Sequence, residues 1–333
     1  MERTSEPKKR HSIANAPTPL YRLDRLSERW GGDIWIKRDD LTGSGMTGNK
    51  VRKLEFLIGD AEAQHANTLI TCGGLQSNHC RATALAAARF GYKCILLLRG
   101  ERPSALDGNL LLDQLAGAEI RFIDEAAYFT RLKELLDSIA EEVRHRGDIP
   151  YIIAEGGSDP VGAWGYVEAI REVKKQCEAI GLHPRRIVHA TGSGGTHAGL
   201  WAGVTLTNWD VEIVSAAICY KADETAHRIT NILHGMNLRH QLTMPVDTSA
   251  VSVLDGYIGP GYAKAERIVF DLIAEAARAE GILCDPVYTG KSALCVREET
   301  RAGRMEGTTI FWHTGGVFGL FPFRKELEGT LGW

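Results

Sequence analysis

No stretch of this chain approaches the roughly 20 consecutive apolar residues that a membrane-crossing helix needs. The opening segment, Met1 to His11, is polar and charged and lacks the apolar centre of a secretory leader. Charge is not skewed either. The formal net charge is -3, and no basic run is interleaved with aromatics, so nothing points to nucleic acid. Cysteine is sparse: the seven residues Cys72, Cys80, Cys94, Cys177, Cys219, Cys284 and Cys295 are odd in number and scattered through apolar stretches. No Cys-x-x-Cys pair or His/Cys cluster at metal spacing occurs, so they read as reduced, structural thiols, with Cys80 alone near a candidate site. No Gly-x-Ser-x-Gly elbow marks a hydrolase serine. What remains is a soluble, cytoplasmic protein, and 333 residues suffice for one large or two medium domains.

What is present is a regular alternation. A proline-fixed lead-in at Pro17–Leu20 is followed by a short strand at Ile34–Lys37 and a loop carrying Gly43, Gly45 and Gly48. A helix then runs from Lys50 to about Ala66, with Val51, Leu54, Leu57, Ile58 and Ala61 on one face. Strands are expected at Thr68–Cys72, Cys94–Leu98, Glu119–Ile123, Tyr151–Ala154, Arg186–Thr191, Glu212–Ile218 and Thr309–Trp312. Between them lie helical stretches, among them one ending near Phe90 and others at Asn109–Ala116, Ala127–His145, Val161–Ile180 and Ile268–Gly281. Leu283–Tyr288 reads as a strand end or loop. The alternation implies parallel sheets with crossover helices. Gly156–Pro160 interrupts it and marks a boundary between two α/β units.

Three strand-to-helix turns could carry chemistry. At Gly48-Asn49-Lys50 a lysine follows a candidate N-cap, Asn49, and lies beside the positive end of a helix dipole. There its amine could be a better Schiff-base nucleophile, although most first-turn lysines are simply solvated. Gly192-Ser193-Gly194-Gly195-Thr196 could converge amides and hydroxyls on a phosphate, or be a tight structural turn. It does not continue as a dinucleotide loop, because His197 stands where the third glycine belongs, and it is not a Walker loop. Gln76-Ser77-Asn78-His79 could hold a carboxylate, with helix capping by Ser77 or Asn78 as the plainer alternative. His79 and His197 could titrate near neutrality, and Tyr262 and Tyr288 could serve as acid/base phenols, or each could be simply packed. Together, a lysine, a phosphate cup, a carboxylate cup and phenols are what a phosphorylated aldehyde cofactor would need.

Taken in order, Pro17-Thr18-Pro19-Leu20, Ile36-Lys37-Arg38-Asp39-Asp40, Gly48 to Leu57, Gln76 to His79, Gly192 to Gly199, Asp285 to Lys291 and His313 to Gly316 resemble one family. It is the pyridoxal-phosphate enzymes that include D-cysteine desulfhydrase and 1-aminocyclopropane-1-carboxylate deaminase. The resemblance spans about Ala16 to Gly319. It implies the fold-type II (tryptophan synthase β-like) architecture: two open α/β domains with mostly parallel sheets, usually in a homodimer. A small domain, 51–158, would be inserted into a large cofactor-binding one, 1–50 with 159–333. Lys50 would bond the aldehyde of pyridoxal 5'-phosphate. Lys53 and the loop Ser193, Gly194, Gly195 and Thr196 would hold its phosphate, and Asn78 its 3′-oxygen. Ser77, Asn78 and His79 would receive a small amino-acid substrate, flanked by Tyr262, Tyr288 and Thr289, with Ser77, Tyr262 and Tyr288 assisting catalysis alongside Lys50.

Within the family, the deaminase pattern has a glutamate after the tyrosine of Asp-Pro-Val-Tyr, pairing with the pyridine nitrogen. Here that position is Thr289, and Thr314 is the expected ring-nitrogen partner, as in the desulfhydrase pattern. A neutral hydroxyl gives a shallower electron sink, which favours β-elimination over ring opening. D-Cysteine, giving pyruvate, ammonia and hydrogen sulfide, is the leading substrate. L-Cysteate or another β-substituted alanine follows, and ring opening or a non-catalytic cofactor-binding role ranks lower. Thr47 departs from the pattern, standing where a second glycine commonly precedes Gly48, and the loop Thr42–Thr47 could bear on substrate choice.

Overall fold

The computed structural model describes residues 6–7 and 9–332. Met1–Ser5 and Lys8 of the polar opening segment, and Trp333, lie outside the described residues. The first half of the chain runs β1 (Leu20–Arg22), α1 (Asp24–Trp30), β2 (Asp33–Arg38), α2 (Asn49–Ala63), β3 (Thr68–Gly74), α3 (Asn78–Phe90), β4 (Lys93–Arg99), α4 (Gly108–Leu115), β5 (Glu119–Ile123), α5 (Glu125–His145) and β6 (Pro150–Ile152). The second runs α6 (Trp164–Ile180), β7 (Arg186–Thr191), α7 (Gly195–Leu206), β8 (Glu212–Ala217), α8 (Ala222–His240), β9 (Ser252–Leu254), α9 (Arg267–Glu280), α10 (Thr289–Arg301), β10 (Thr308–His313) and α11 (Arg324–Leu331).

Two open sheets result. The smaller, in the order β5-β4-β3-β6, is wholly parallel and uses only residues between 68 and 152. The larger, β1-β2-β10-β7-β8-β9, is parallel except for β1, which pairs antiparallel with β2. Strands such as Cys94–Leu98 and Arg186–Thr191 are buried along their length, because crossover helices cover both faces of a parallel sheet. The segment Leu283–Tyr288 is a loop, and α10 follows it directly.

Helix α2 joins the two sheets. It packs on α3 and on α6, and one apolar cluster runs from Leu69 and Leu96 through Leu54 and Leu57 to Trp164, Ala198 and Leu233. Ten of its fifteen residues are buried, so the polar stripe expected of a surface helix is missing. Its polar residues have internal partners instead. Arg52 bonds Asp39 (2.8 Å) and Glu172 (3.0 Å), while Glu55 accepts the amides of Ile13 (2.8 Å) and Ala14 (3.0 Å). The Ile36–Asp40 stretch is therefore structural: Lys37 and Asp39 anchor the first turn of α2 through Glu172 and Arg52.

Candidate active site

The carboxyl ends of β3, β4, β7 and β10, with the turn after β6, converge on a cavity of about 350 Å³ between the sheets. This is where open parallel sheets bind ligands. Gly48, not Asn49, is the N-cap of α2, with φ of 90°. A side chain there would stand 2.8 Å from the Thr314 carbonyl, which accepts the Asn49 amide at 2.9 Å. The Asn49 side chain reaches across to Thr196 Oγ1 (3.0 Å), so its amide joins two loops rather than capping a helix.

Lys50 projects from this first turn into the cavity, and its Nζ donates to the Gly156 carbonyl at 3.3 Å. Burial lowers its pKa to about 8, opposed by the charge of Glu155. Desolvation, more than the helix dipole, makes this amine available. Lys53, one turn on, lies behind the cavity wall and donates to Gly156 O and Ser158 Oγ, both at 3.1 Å. Burial depresses its pKa further, with Lys50 adding repulsion. Ser193, Gly194 and Thr196 line the cavity at the start of α7, and the Gly195 amide donates to Ser158 Oγ at 3.1 Å. Ser158 also bonds Ser193 Oγ at 2.7 Å, gathering Lys53, Gly195 and Ser193 at one point.

Across the cavity, Ser77 caps α3, accepting the Cys80 amide at 3.2 Å. It also lines the cavity, so capping α3 does not remove it from the candidate site. Asn78 points its oxygen away from the cavity. Oδ1 accepts from Arg81 (3.2 Å) and Asn109 (3.1 Å), which leaves the amide NH₂ as the free donor. Arg81 further binds Asn109 Oδ1 (2.9 Å) and the Thr47 carbonyl (2.7 Å). His79 lines the cavity but is buried, with its Nε2 on Thr71 Oγ1 at 2.9 Å. Burial and the two nearby lysines hold it well below the usual histidine pKa, so it is a neutral ring. His197 is likewise buried, with Nδ1 2.6 Å from Ser215 Oγ, and lies outside the cavity lining.

The phenols form a pair. Tyr262 and Tyr288 hydroxyls lie 3.0 Å apart with their rings edge to face. Burial raises Tyr262 to about 12 and Tyr288 well above its ordinary value, so both are protonated near neutral pH.

The sequence profile of the pyridoxal-phosphate dependent enzymes matches residues 11–315. The chain belongs to that family. It is similar to a Thermotoga maritima protein provisionally named a 1-aminocyclopropane-1-carboxylate deaminase, 42% identical over 96% of this chain and 99% of that protein. It is also similar to a Salmonella choleraesuis D-cysteine desulfhydrase, 38% identical over 96% and 97%. A crystal structure titled as that of an ACC deaminase homologue superposes with a TM-score of 0.89 at 36% identity, covering 97% of this chain and 96% of that one. The expected fold-type II architecture is thereby shown.

The residues of this pyridoxal-phosphate enzyme fit its cofactor. A side chain at Gly156 would meet Ser193 Oγ at 2.5 Å and Lys50 Nζ at 3.3 Å, and one at Gly195 would meet Ser158 Oγ at 2.5 Å. The bare backbone lets Gly156 close on Ser193 and Gly195 on Ser158, so the start of α7, the Ser193 and Thr196 hydroxyls and the Lys50 amine border one space suited to a phosphorylated aldehyde, with Lys53 and Ser158 behind its wall.

Two expected contacts differ. Thr289 is buried behind the wall: its hydroxyl donates to Asp285 Oδ1 (2.7 Å), so it supports the Tyr288 turn and does not face a substrate. Thr47 is buried and absent from the lining. Its hydroxyl bonds the Asp40 carbonyl, so its effect on a substrate could only be indirect.

Four residues escaped sequence reasoning. Ser158 stood in the Gly156–Pro160 stretch that was read as a boundary. Glu155, whose carboxylate accepts the Tyr128 hydroxyl at 2.6 Å, lines the cavity near Lys50. Asp285 accepts the amides of Val287, Tyr288 and Thr289, all at 2.9 Å. Lys291 donates to the carbonyls of Ile258 (2.7 Å) and Gly261 (2.9 Å), tying down the loop that ends at Tyr262. Asp285 and Lys291 end the Asp285 to Lys291 motif, but no period or cap pattern in the sequence assigns their partners.

Proposed function

We propose that this pyridoxal-phosphate dependent lyase catalyses α,β-elimination on a β-substituted small amino acid, with D-cysteine as the leading substrate and pyruvate, ammonia and hydrogen sulfide as products. The observation that carries the reading is the pairing of functions around Lys50. One amine near neutrality faces two phenols that stay protonated, and no carboxylate stands at Thr289 or Thr314.

When bound, the cofactor would delocalise the electron pair left at the substrate's α-carbon. Lys50 would hold its aldehyde, and Lys53, Ser158, Ser193, Gly194, Gly195 and Thr196 its phosphate. The NH₂ of Asn78 would donate to the 3′-oxygen, and the Thr314 hydroxyl would meet the ring nitrogen. A hydroxyl there does not fix a proton on the ring as a carboxylate would. That supports loss of a good leaving group more than cleavage of an unactivated cyclopropane.

Ser77 and the amides opening α3 would bind the substrate carboxylate, the NH₂ of Asn78 also facing it, with His79 as their neutral backing. With a pKa near 8, Lys50 is the group able to take the α-proton. The Tyr262–Tyr288 pair, raised by burial, is suited to donate a proton to the departing group. The unsaturated product then hydrolyses to pyruvate and ammonia. We extend the reading to a cytoplasmic homodimer in which 51–158 forms the small domain.

The test is pyruvate and sulfide release from a panel of both cysteines, both serines, β-chloroalanines and the cyclopropane amino acid, with Lys50→Ala as control. Turnover of D-cysteine that Lys50→Ala lacks supports the proposal. Turnover of the cyclopropane substrate alone would refute it.

A further inference from the structure

Behind Asn78 lies a buried polar network outside the cavity lining. Arg81, three residues along the same face of α3, and Asn109, the second residue of α4, are each 0% exposed and do not border the cavity. Arg81 Nη1 donates to Asn78 Oδ1 at 3.2 Å and to Asn109 Oδ1 at 2.9 Å, and its Nη2 to the Thr47 carbonyl at 2.7 Å. Asn109 Nδ2 donates to Asn78 Oδ1 at 3.1 Å and to the Gln76 carbonyl at 2.9 Å. The guanidinium carbon also lies 5.0 Å from the Phe318 ring centroid.

The network runs in one direction. A guanidinium has no acceptor, so each asparagine must turn its oxygen to Arg81. A carbonyl has no donor, so Asn109 must turn its nitrogen to Gln76. Asn109 thus joins Arg81 on the oxygen of Asn78, and Asn78 is left with its NH₂ towards the cavity. The two ends of an asparagine amide are nearly the same size, so packing alone would not choose between them. The docking of α4 serves the same contact. A side chain at Gly108, which opens that helix, would stand 2.5 Å from Gln76 Oε1 and 2.9 Å from the Phe318 carbonyl. The bare backbone lets Gln76 Oε1 accept the Asn109 amide at 2.8 Å. Burying the guanidinium is costly, and Asp113, one turn beyond Asn109 on α4, supplies a charge that opposes that cost.

We infer that Asn109, together with Arg81, is a positioning residue that locks the Asn78 amide in the one orientation offering a donor to the cofactor's 3′-oxygen. The inference rests on the contact proposed above between Asn78 and that oxygen. It extends the site to α4, a helix with no residue in the cavity lining. Because Arg81 also holds the Thr47 carbonyl, three residues before Lys50, one guanidinium keeps the donor and the lysine turn in register.

The experiment titrates pyridoxal 5'-phosphate into the apo-proteins and takes the dissociation constant from the visible absorbance. Wild type, Asn109→Asp, Asn78→Ala and the double variant form a cycle, with melting followed by far-ultraviolet circular dichroism as the folding control. Asn109→Asp keeps the shape and the acceptor for Arg81 but sets a carboxylate oxygen against Asn78, whose NH₂ should then turn away from the cavity. The expected result is a dissociation constant raised on the order of 10-fold by Asn109→Asp and by Asn78→Ala, with the double variant no weaker than Asn78→Ala alone. Losses that multiply in the double variant would overturn the inference, because Asn109 would then act on the fold or on another group. Weakened binding in Asn78→Ala beside wild-type binding in Asn109→Asp would overturn the inference alone. Wild-type binding in Asn78→Ala would overturn the contact with the 3′-oxygen and this inference with it. Asn109→Ala, which removes the donor without adding charge, is taken through the same cycle and decides the outcome if the carboxylate variant does not fold.

Discussion

At the scale of single residues, the role proposed for Lys50 predicts the enzyme's pH behaviour. A half-buried amine with a pKa of about 8 is roughly one-tenth neutral at pH 7, against well under a thousandth for a lysine at its ordinary value. Only the neutral amine attacks an aldehyde. Stopped-flow absorbance of cofactor uptake by the apo-protein should therefore show a rate that rises with pH and is half-maximal near 8. Glu155 favours the ammonium, so Glu155→Gln should move that midpoint downward; a midpoint that stays put would separate Glu155 from the lysine. Tyr262→Phe removes one member of the phenol pair. It should lower kcat by about 10²-fold while leaving the absorbance of the bound cofactor in place. Lys50, Ser77, Asn78 and both tyrosines were legible because each follows a glycine, proline or polar turn, where α/β folds expose side chains. Glu155 and Ser158 were not. They sit on either side of a glycine pair that reads as a break in the rhythm, and only the folded chain turns that break towards Lys50.

At the scale of elements, the loop before α10 is held by one carboxylate. Asp285 accepts three backbone amides and the Thr289 hydroxyl, and it is buried among them. Asp285→Ala would leave those amides without acceptors in the interior, a loss on the order of 3 kcal/mol. Urea unfolding should show that loss. Because the same turn aims Tyr288, kcat should fall as well, while Asp285→Asn, which keeps one acceptor oxygen, should recover part of each. Helix α10 also shows where patterning fails. From Thr289 to Thr300 nearly every residue is buried, including Lys291, Arg297 and Glu299, so no polar stripe alternates with an apolar one. Strands β1 and β9, three residues each, are too short to display a period. The long parallel strands were legible from their continuous apolar runs, and Arg186–Thr191 and Glu119–Ile123 fall on the residues expected.

At the scale of the whole molecule, the cavity proposed to hold the cofactor lies on the seam between two sheets that share an apolar cluster. The apolar cluster crossing α2 contains residues of both sheets' helices, and although each sheet also has apolar clusters of its own, melting either one would strip the cover from this shared cluster. Thermal unfolding of the apo-protein should then be a single transition by both fluorescence and far-ultraviolet circular dichroism. Two separated transitions would show that 51–158 unfolds by itself. In the proposed site pyridoxal phosphate would meet groups from both sides of the seam, and a ligand that binds only the folded state stabilises it by about 2.7 kcal/mol at one hundred times its dissociation constant. Spread over the unfolding entropy of 333 residues, that is a rise in Tm of about 4 °C. Covalent attachment through Lys50 should add to it, so the increment should shrink but persist in Lys50→Ala, where the phosphate groups remain. Loss of the whole increment in that variant would place the binding energy in the lysine bond alone and leave Lys53, Ser158 and the α7 amides without the phosphate role.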